Sequence, residues 1–317
     1  MMKTKAIWFL GPKQVGIRPL EVRAPGPGQA LVEIKACGIC AMDTFTFSGV
    51  EPRNYPFIDG HEGVGVIQEL GGDVTDFAVG DKVVVGGGGS FARHVVAKTG
   101  NLFKLTKDAV PVEWIVEPVA CVVNGLNCSR IQAGDRVALI GCGFMGLLLA
   151  QGLTKTLAAE VIAIDPDKTR LEIARRYGLR VTLDPTDPRD QARLAEYKKK
   201  GMDVVIEAAP TDAAIDLAGE LLRRAGRFVL FSWHHGRTSV DTTRWHLGGF
   251  EVLNASPMIN PNFNEAFRRA IVLMELGVFD LKSLLTHSYA FSDPQGAFTD
   301  AFEHKGGYIK GVIDFER

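Results

Sequence analysis

Two kinds of hydrophobic spacing divide the chain. From Lys3 to about Leu105 the apolar runs are short and are broken at close intervals by glycine and proline: Ala6 to Phe9, Gln29 to Lys35, Gly63 to Leu70, Lys82 to Val85 and Phe91 to Ala97. Runs of that length between turn residues predict β-strands, so the first third is expected to form a compact, partly barrel-like β domain. From about Trp114 strands alternate with helical stretches. Val137 to Ile140, Val161 to Asp165, Asp203 to Glu207 and Arg227 to Ser232 read as strands, and Leu147 to Leu157, Lys168 to Tyr177 and Ala213 to Arg224 read as helices. Such alternation predicts an α/β fold with a doubly wound parallel sheet and helices on its faces. From about Ala255 the chain offers helices at Phe263 to Leu276 and Gln295 to Glu303 and a strand at Ile309 to Phe315. That segment is short for a domain and is expected to return to the β domain, giving one discontinuous unit of residues 1–120 and 256–317 around an inserted unit of residues 121–255.

The first strand of the alternating region runs into R-V-A-L-I-G-C-G-F-M-G, which places Gly141, Gly143 and Gly146 in the spacing G-x-G-x-x-G. In a dinucleotide-binding loop the first glycine makes the tight turn, the second lets the backbone approach a pyrophosphate and the third lets the next helix pack on its strand. The anion then sits on the helix N-terminus, with Phe144 and Met145 in the same loop. Asp165 follows Gly146 by nineteen positions and ends the second strand. A carboxylate there accepts the ribose 2′-OH and repels a 2′-phosphate, so NAD is the expected cofactor, with Lys168 and Arg170 nearby keeping NADP as an alternative. The other reading of Asp165 is a helix cap in a fold without nucleotide. Glu207-A-A-P and Phe231-S-W-H-H end later strands, so Ala208 and Ser232 should line the nicotinamide edge of the site, with His234 and His235 either touching ligand or forming a solvated loop.

Composition narrows the class. The 317 residues are 46% hydrophobic and 23% charged, ordinary for a globular enzyme, and the net charge of −1 gives no electrostatic reason to expect nucleic acid or an anionic membrane as partner. No apolar run approaches a membrane span and the N-terminus M-M-K-T-K-A-I-W lacks the apolar region of a signal peptide, so a cytoplasmic protein is expected. Five cysteines argue against a disulfide framework and for buried, catalytic or metal-bound thiols. Cys121, Cys128 and Cys142 lie among apolar neighbours and read as core residues.

A second constellation lies in the β domain, where A-C-G-I-C-A-M-D spans Ala36 to Asp43 and D-G-H-E-G-V-G spans Asp59 to Gly65. Cys40, His61 and Glu62 are zinc-binding residue types, and a catalytic zinc needs three protein ligands with one position open. Cys37 and Cys40 form one C-x-x-C with no second such pair in the chain, which removes the four-cysteine structural reading.

Taken in order, G-I-C-x-x-D, G-H-E-x-x-G, E-P-V-A at Glu117 to Ala120 and G-x-G-x-x-G, together with V-G-D-K-V at Val79 to Val83 and the closing K-G-V-I, resemble the zinc-dependent medium-chain dehydrogenases, particularly the polyol and threonine dehydrogenase branch. The resemblance covers nearly the full length. It implies a GroES-like catalytic domain and a Rossmann domain, one catalytic zinc held by Cys40 and His61 with Glu62 and Glu117 sharing the remaining positions, and Asp43 accepting a hydrogen bond from a ligand histidine. Cys37 matches a non-ligand position and reads as packing.

The chain departs from the family pattern in two places. The four-cysteine lobe for a structural zinc is absent, since Lys82-V-V-V runs into Gly86 to Gly89 and on to Phe91. The usual proton-relay positions after the ligand cysteine hold Met42 and Phe45, leaving Thr44, Thr46 and Ser48 as candidates. The expected protein is an NAD-dependent zinc oxidoreductase acting on a secondary alcohol of polyol, sugar or cyclitol type, with hydride passing in a cleft between the domains. It is expected to be a homo-oligomer, dimer or tetramer, whose only other partner is its small-molecule substrate. The alternatives are a zinc-free quinone-reductase-like enzyme using NADPH and a non-catalytic dinucleotide-binding redox sensor.

Overall fold

The computed structural model describes residues 1–50 and 53–317. Strands β1 (Met2–Gly11), β2 (Gln14–Val22) and β3 (Gln29–Ile39) lead into α1 (Ala41–Ser48), then β4 (Gly63–Leu70), β5 (Lys82–Val85), β6 (His94–Lys98) and β7 (Leu102–Lys104). Helix α2 (Val116–Ser129) opens the alternating region of β8 (Arg136–Ile140), α3 (Phe144–Leu153), β9 (Glu160–Ile164), α4 (Lys168–Arg176), β10 (Val181–Leu183) and α5 (Pro188–Lys200). It continues through β11 (Met202–Glu207), α6 (Asp212–Leu221), β12 (Leu222–Leu230), α7 (Thr242–Gly248), β13 (Glu251–Asn254) and α8 (Phe263–Glu275), and β14 (Leu285–Ala290), α9 (Pro294–Glu303) and β15 (Lys310–Asp314) close the chain. Among the described residues no helix is long and apolar enough to cross a membrane.

The chain forms two compact units, residues 1–118 with 281–317 and residues 119–280. In the first, β14-β15-β3-β4-β5-β7 form a mixed sheet with β6 also paired to β3, and β1 and β2 form a separate hairpin. The closing strand lies against the N-terminal segment, with Ile313 opposite Cys37. Alternating inward residues such as Val32 and Ile34 of β3 meet a cluster of aromatic rings in which Phe298 of α9 packs edge-on to Phe9 and Phe91.

In the second unit the sheet order is β10-β9-β8-β11-β12-β13, and every pairing is parallel. Strands β8 and β9 are nearly continuous in Val, Ile, Leu and Ala, as expected of strands buried on both faces. Strand order reverses between β8 and β11, the switch point at which open α/β sheets bind ligands beyond the strand C-termini.

The outer boundaries differ from the expected ones. Residues 256–280, expected with the β domain, cluster with the parallel sheet, and residues 119–120 do so as well. Side-chain hydrogen bonds explain the first shift. Gln151 of α3 exchanges two hydrogen bonds with the Asp280 backbone (3.1 and 2.6 Å), and Asn124 of α2 donates to Ala255 O and accepts from Asn260 (2.9 and 2.7 Å). Two element ends also moved. Helix α3 stops at Leu153 and not Leu157, and the stretch expected as helix to Arg224 already enters β12 at Leu222, which pairs with Met202. Lys198 to Lys200 form the last turn of α5. The apolar run from Val252 contributes the sheet's edge strand β13 before Pro257–Ile259 turn away.

Candidate functional site

Helix α1 starts directly after β3, and Cys40 is its N-cap. Asp43, three residues on, accepts the Cys40 N–H through Oδ2 at 2.7 Å, so the carboxylate holds the backbone from which the thiol projects. His61 and Glu62 come from the segment entering β4. The donor atoms of Cys40, His61 and Glu62 all lie within 4.8 Å of one another. Asp43, Asp59 and His61 form a second such group, which shares the histidine.

Asp43 does not make the hydrogen bond expected of it. His61 Nδ1 stands 4.0 Å from Asp43 Oδ1, beyond hydrogen-bonding reach, while the other oxygen accepts from the start of α1. Asp43 Oδ1 is buried without a hydrogen-bond partner among the described residues.

Local electrostatics favour a cation. Burial raises the Cys40 thiol, and burial followed by the charges of Asp59 and Glu62 pushes the Asp43 carboxyl up to about 7. Burial works against a charged His61, yet its hydrogen bond with Cys40 and the negative charges of Asp43, Cys40 and Glu117 prevail and push it up to about 11. The acids resist ionising chiefly because they are buried, whereas a histidine that holds its proton in spite of burial reports the negative charge around it. Thiol, imidazole and carboxylate donors in that field fit a zinc ion.

Glu62 carries a feature that motif reading missed. It is 2% exposed, and the 3% exposed Lys310 of β15 donates to its Oε1 at 2.7 Å while lying 2.6 Å from Oε2 without a well-directed bond. The K-G-V-I pattern marks this position, but its spacing says nothing of a partner nearly 250 residues away. Gly38 belongs to the same site, since a Cβ there would overlap the Glu62 carboxylate and crowd Ile115 at 3.0 Å. Glu117 sits in the first turn of α2, half-buried and close enough for its charge to act on His61.

The proposed relay positions are largely occupied by helix bonding. Thr44 donates to Ala41 O and Ser48 to Phe45 O, both at 2.7 Å, and Thr46 is fully buried. Cys37 is buried in β3 and Cys142 in the glycine loop, whereas Cys121 and Cys128 are only half-buried, not core residues as expected, because both stand on partly exposed positions of α2.

In the second unit the three glycines do three different things. Gly141 has φ +94° and a Cβ there would meet the Ala208 backbone at 2.8 Å, while a Cβ on Gly146 would overlap Gly141 O. Gly143, the N-cap of α3, faces space that holds no protein atom within 4 Å, and no side chain caps the helix. Phe144 and Met145 form its first turn. An uncapped N-terminus with an open approach fits a pyrophosphate. Asp165 is 4% exposed and accepts the N–H of Cys142 (2.6 Å) and of Asp167 (2.8 Å), so it ties the glycine loop to the end of β9. An ionised carboxylate has about four lone-pair sites, which leaves acceptor capacity for a ribose hydroxyl. Lys168 is exposed, 3.9 and 3.6 Å from the carboxylates of Asp184 and Asp187. Ala208 adjoins the glycine loop and Ser232 hydrogen-bonds Glu207.

With this geometry in place, comparison with known proteins defines the class. Residues 26–107 match the alcohol dehydrogenase GroES-like domain and residues 145–274 match the zinc-binding dehydrogenase domain. The chain belongs to the zinc-type medium-chain dehydrogenase/reductase family, and its chemistry is that of an alcohol-dehydrogenase-type oxidoreductase. D-arabinitol dehydrogenase 1 of Uromyces fabae is 25% identical over 92% of both chains. Among solved structures, the rspB alcohol dehydrogenase of Escherichia coli CFT073 with NADH aligns over 99% of both chains (TM-score 0.87, 23% identity). A Sinorhizobium meliloti protein with NADP bound aligns over 99% of this chain and 100% of its own (TM-score 0.86, 23% identity).

Proposed function

We propose that this protein is a zinc-dependent dehydrogenase that moves hydride between NAD and a secondary alcohol of polyol, sugar or cyclitol type. The observation that carries the reading is the convergence of the Cys40, His61 and Glu62 donors within 4.8 Å, in a pocket whose ionisable groups favour a cation. Zinc held by Cys40, His61 and a carboxylate of Glu62 or Glu117 would supply Lewis acidity to the alcohol oxygen, and a nicotinamide would supply the hydride acceptor.

The chain's own residues prepare that chemistry. Asp43 fixes the backbone at Cys40, Gly38 leaves room for the Glu62 carboxylate, and Lys310 neutralises it from behind. Glu62 is therefore the variable member of the donor set, because an anion shared between an ammonium and a metal can lean toward either. In the second unit Gly141, Gly143 and Gly146 shape the pyrophosphate loop, and the Asp165 charge disfavours a 2′-phosphate and supports NAD over NADP. The kinship with an arabinitol dehydrogenase supports a polyhydroxylated substrate. Metal analysis of the purified protein together with NAD and NADP reduction across secondary alcohols, polyols and cyclitols tests the reading. One zinc per chain and NAD-linked oxidation of at least one polyol are expected, and a metal-free protein that reduces quinones with NADPH refutes it.

A further inference from the structure

The end of β11 carries a charge directly after three apolar residues. Val204, Val205 and Ile206 are fully buried, and so is Glu207, with no exposed surface. A carboxylate placed there is costly unless every oxygen is engaged. Its partners are local to this corner: the Ala209 N–H donates to Oε1 at 2.6 Å, the Ser232 hydroxyl lies 2.6 and 2.7 Å from the two oxygens, and His234 Nε2 lies 3.0 Å from Oε2. The S-W-H-H stretch after β12 alternates like a strand. Ser232 and His234 turn to Glu207, whereas Trp233 and His235 stack on each other with ring centroids 4.3 Å apart.

A carboxylate only accepts hydrogen bonds, so the imidazole nitrogen facing it carries the proton, and in the neutral ring Nδ1 is then left as an acceptor. His234 keeps 15% of its side chain exposed, so the ring is braced on one side and reachable on the other. The place in the sheet says what it would meet. Asp165 ends β9 on one side of the switch point, the glycine loop follows β8 at the switch point itself, and Glu207 and His234 follow β11 and β12 on the other side. A dinucleotide lying across the strand C-termini, with its pyrophosphate on the glycine loop and its adenosine toward Asp165, brings its nicotinamide riboside over β11 and β12.

We propose that His234 binds the nicotinamide-riboside half of the dinucleotide through Nδ1, accepting from a carboxamide N–H or a ribose hydroxyl, and that Glu207 is the positioning residue that fixes the outward nitrogen. This rests on reading the second unit as a dinucleotide site. The substitution His234→Gln keeps an N–H for Glu207 and offers an amide oxygen as acceptor in place of Nδ1, and His234→Ala removes both. NADH and NADPH binding to the full-length protein, followed by nicotinamide fluorescence, is compared with ADP binding followed by calorimetry. His234→Ala is expected to bind the preferred reduced dinucleotide about ten-fold more weakly, as for one lost hydrogen bond to a polar ligand, with ADP affinity unchanged and a lower melting midpoint because Glu207 loses a partner, and His234→Gln is expected to restore the midpoint and most of the affinity. A His234→Ala protein that binds the dinucleotide as well as wild type overturns the proposal, because bracing Glu207 would then be the whole role of His234. Equal loss of ADP binding also overturns it. A wild-type protein that binds neither ADP nor reduced dinucleotide overturns the dinucleotide reading itself, an outcome visible before any variant is made.

Discussion

Replacing Lys310 with methionine tests how the Glu62 pocket is held. The substitution keeps most of the side-chain volume but removes the ammonium from a carboxylate that is 2% exposed, where solvent cannot screen the loss. Removing one partner of a buried ion pair costs ~3–5 kcal/mol, because the other charge is left uncompensated. For a unit of this size ~1 kcal/mol moves the midpoint by ~2–4 °C, so Lys310→Met should lower the melting midpoint of the first unit by ~6–20 °C in zinc-free protein. Glu62→Gln should cost a similar amount. The double variant Glu62→Gln/Lys310→Met should lose less than the two single losses together, with a coupling toward the upper end of the ~0.5–3 kcal/mol found for contacting residues. Zinc supplies Glu62 with another cation, so adding it should raise the Lys310→Met midpoint more than that of wild type. Calorimetric melts of the four proteins with chelator and with zinc give all of these quantities. Additive single losses, or a Lys310→Met midpoint within a degree or two of wild type, would refute the paired-charge account.

Three further outcomes are expected. Cys40→Ala should lose its zinc, measured by elemental analysis, and with it several kcal/mol of Lewis-acid assistance, on the order of 10³-fold in turnover, while NADH binding persists; unchanged turnover in metal-free variant would exclude the mechanism. Asp165→Asn retains an acceptor for only one of the Cys142 and Asp167 N–H groups and removes the charge, so the NAD-to-NADP ratio of kcat/KM should fall and the midpoint should drop by one lost hydrogen bond; Asp165→Ala orphans both N–H groups and should melt earlier still, each loss costing ~1–3 kcal/mol. An Asn variant with an unaltered cofactor ratio counts against the role assigned to Asp165. Gly38→Ala drives a methyl into the Glu62 carboxylate and should weaken zinc retention under chelator challenge without altering ADP binding, so equal zinc release from variant and wild type would remove Gly38 from the site.

What the sequence determined by itself is local chemistry. The G-x-G-x-x-G loop assigns a separate task to each of Gly141, Gly143 and Gly146, and the φ of Gly141, the open face of Gly143 and the overlap at Gly146 match those tasks because each depends on backbone within a few residues or on the adjoining strand. Strand and helix alternation was legible for the same reason, since burial on one or both faces is written in residue spacing. Cys40 and His61 could be singled out as candidate metal donors because their motifs are compact, and their donor atoms do converge. What only the tertiary structure decided involves partners distant in sequence or several donors competing for one acceptor. Spacing cannot show that Lys310 neutralises Glu62, that Gly38 makes room for it, or that Gln151 and Asn124 draw residues 256–280 to the parallel sheet. Nor can it show how a carboxylate divides its oxygens. Asp43 gives Oδ2 to the start of α1 while its Oδ1 stands 4.0 Å from His61, and Asp165 gives one oxygen to Cys142 of the glycine loop and the other to Asp167.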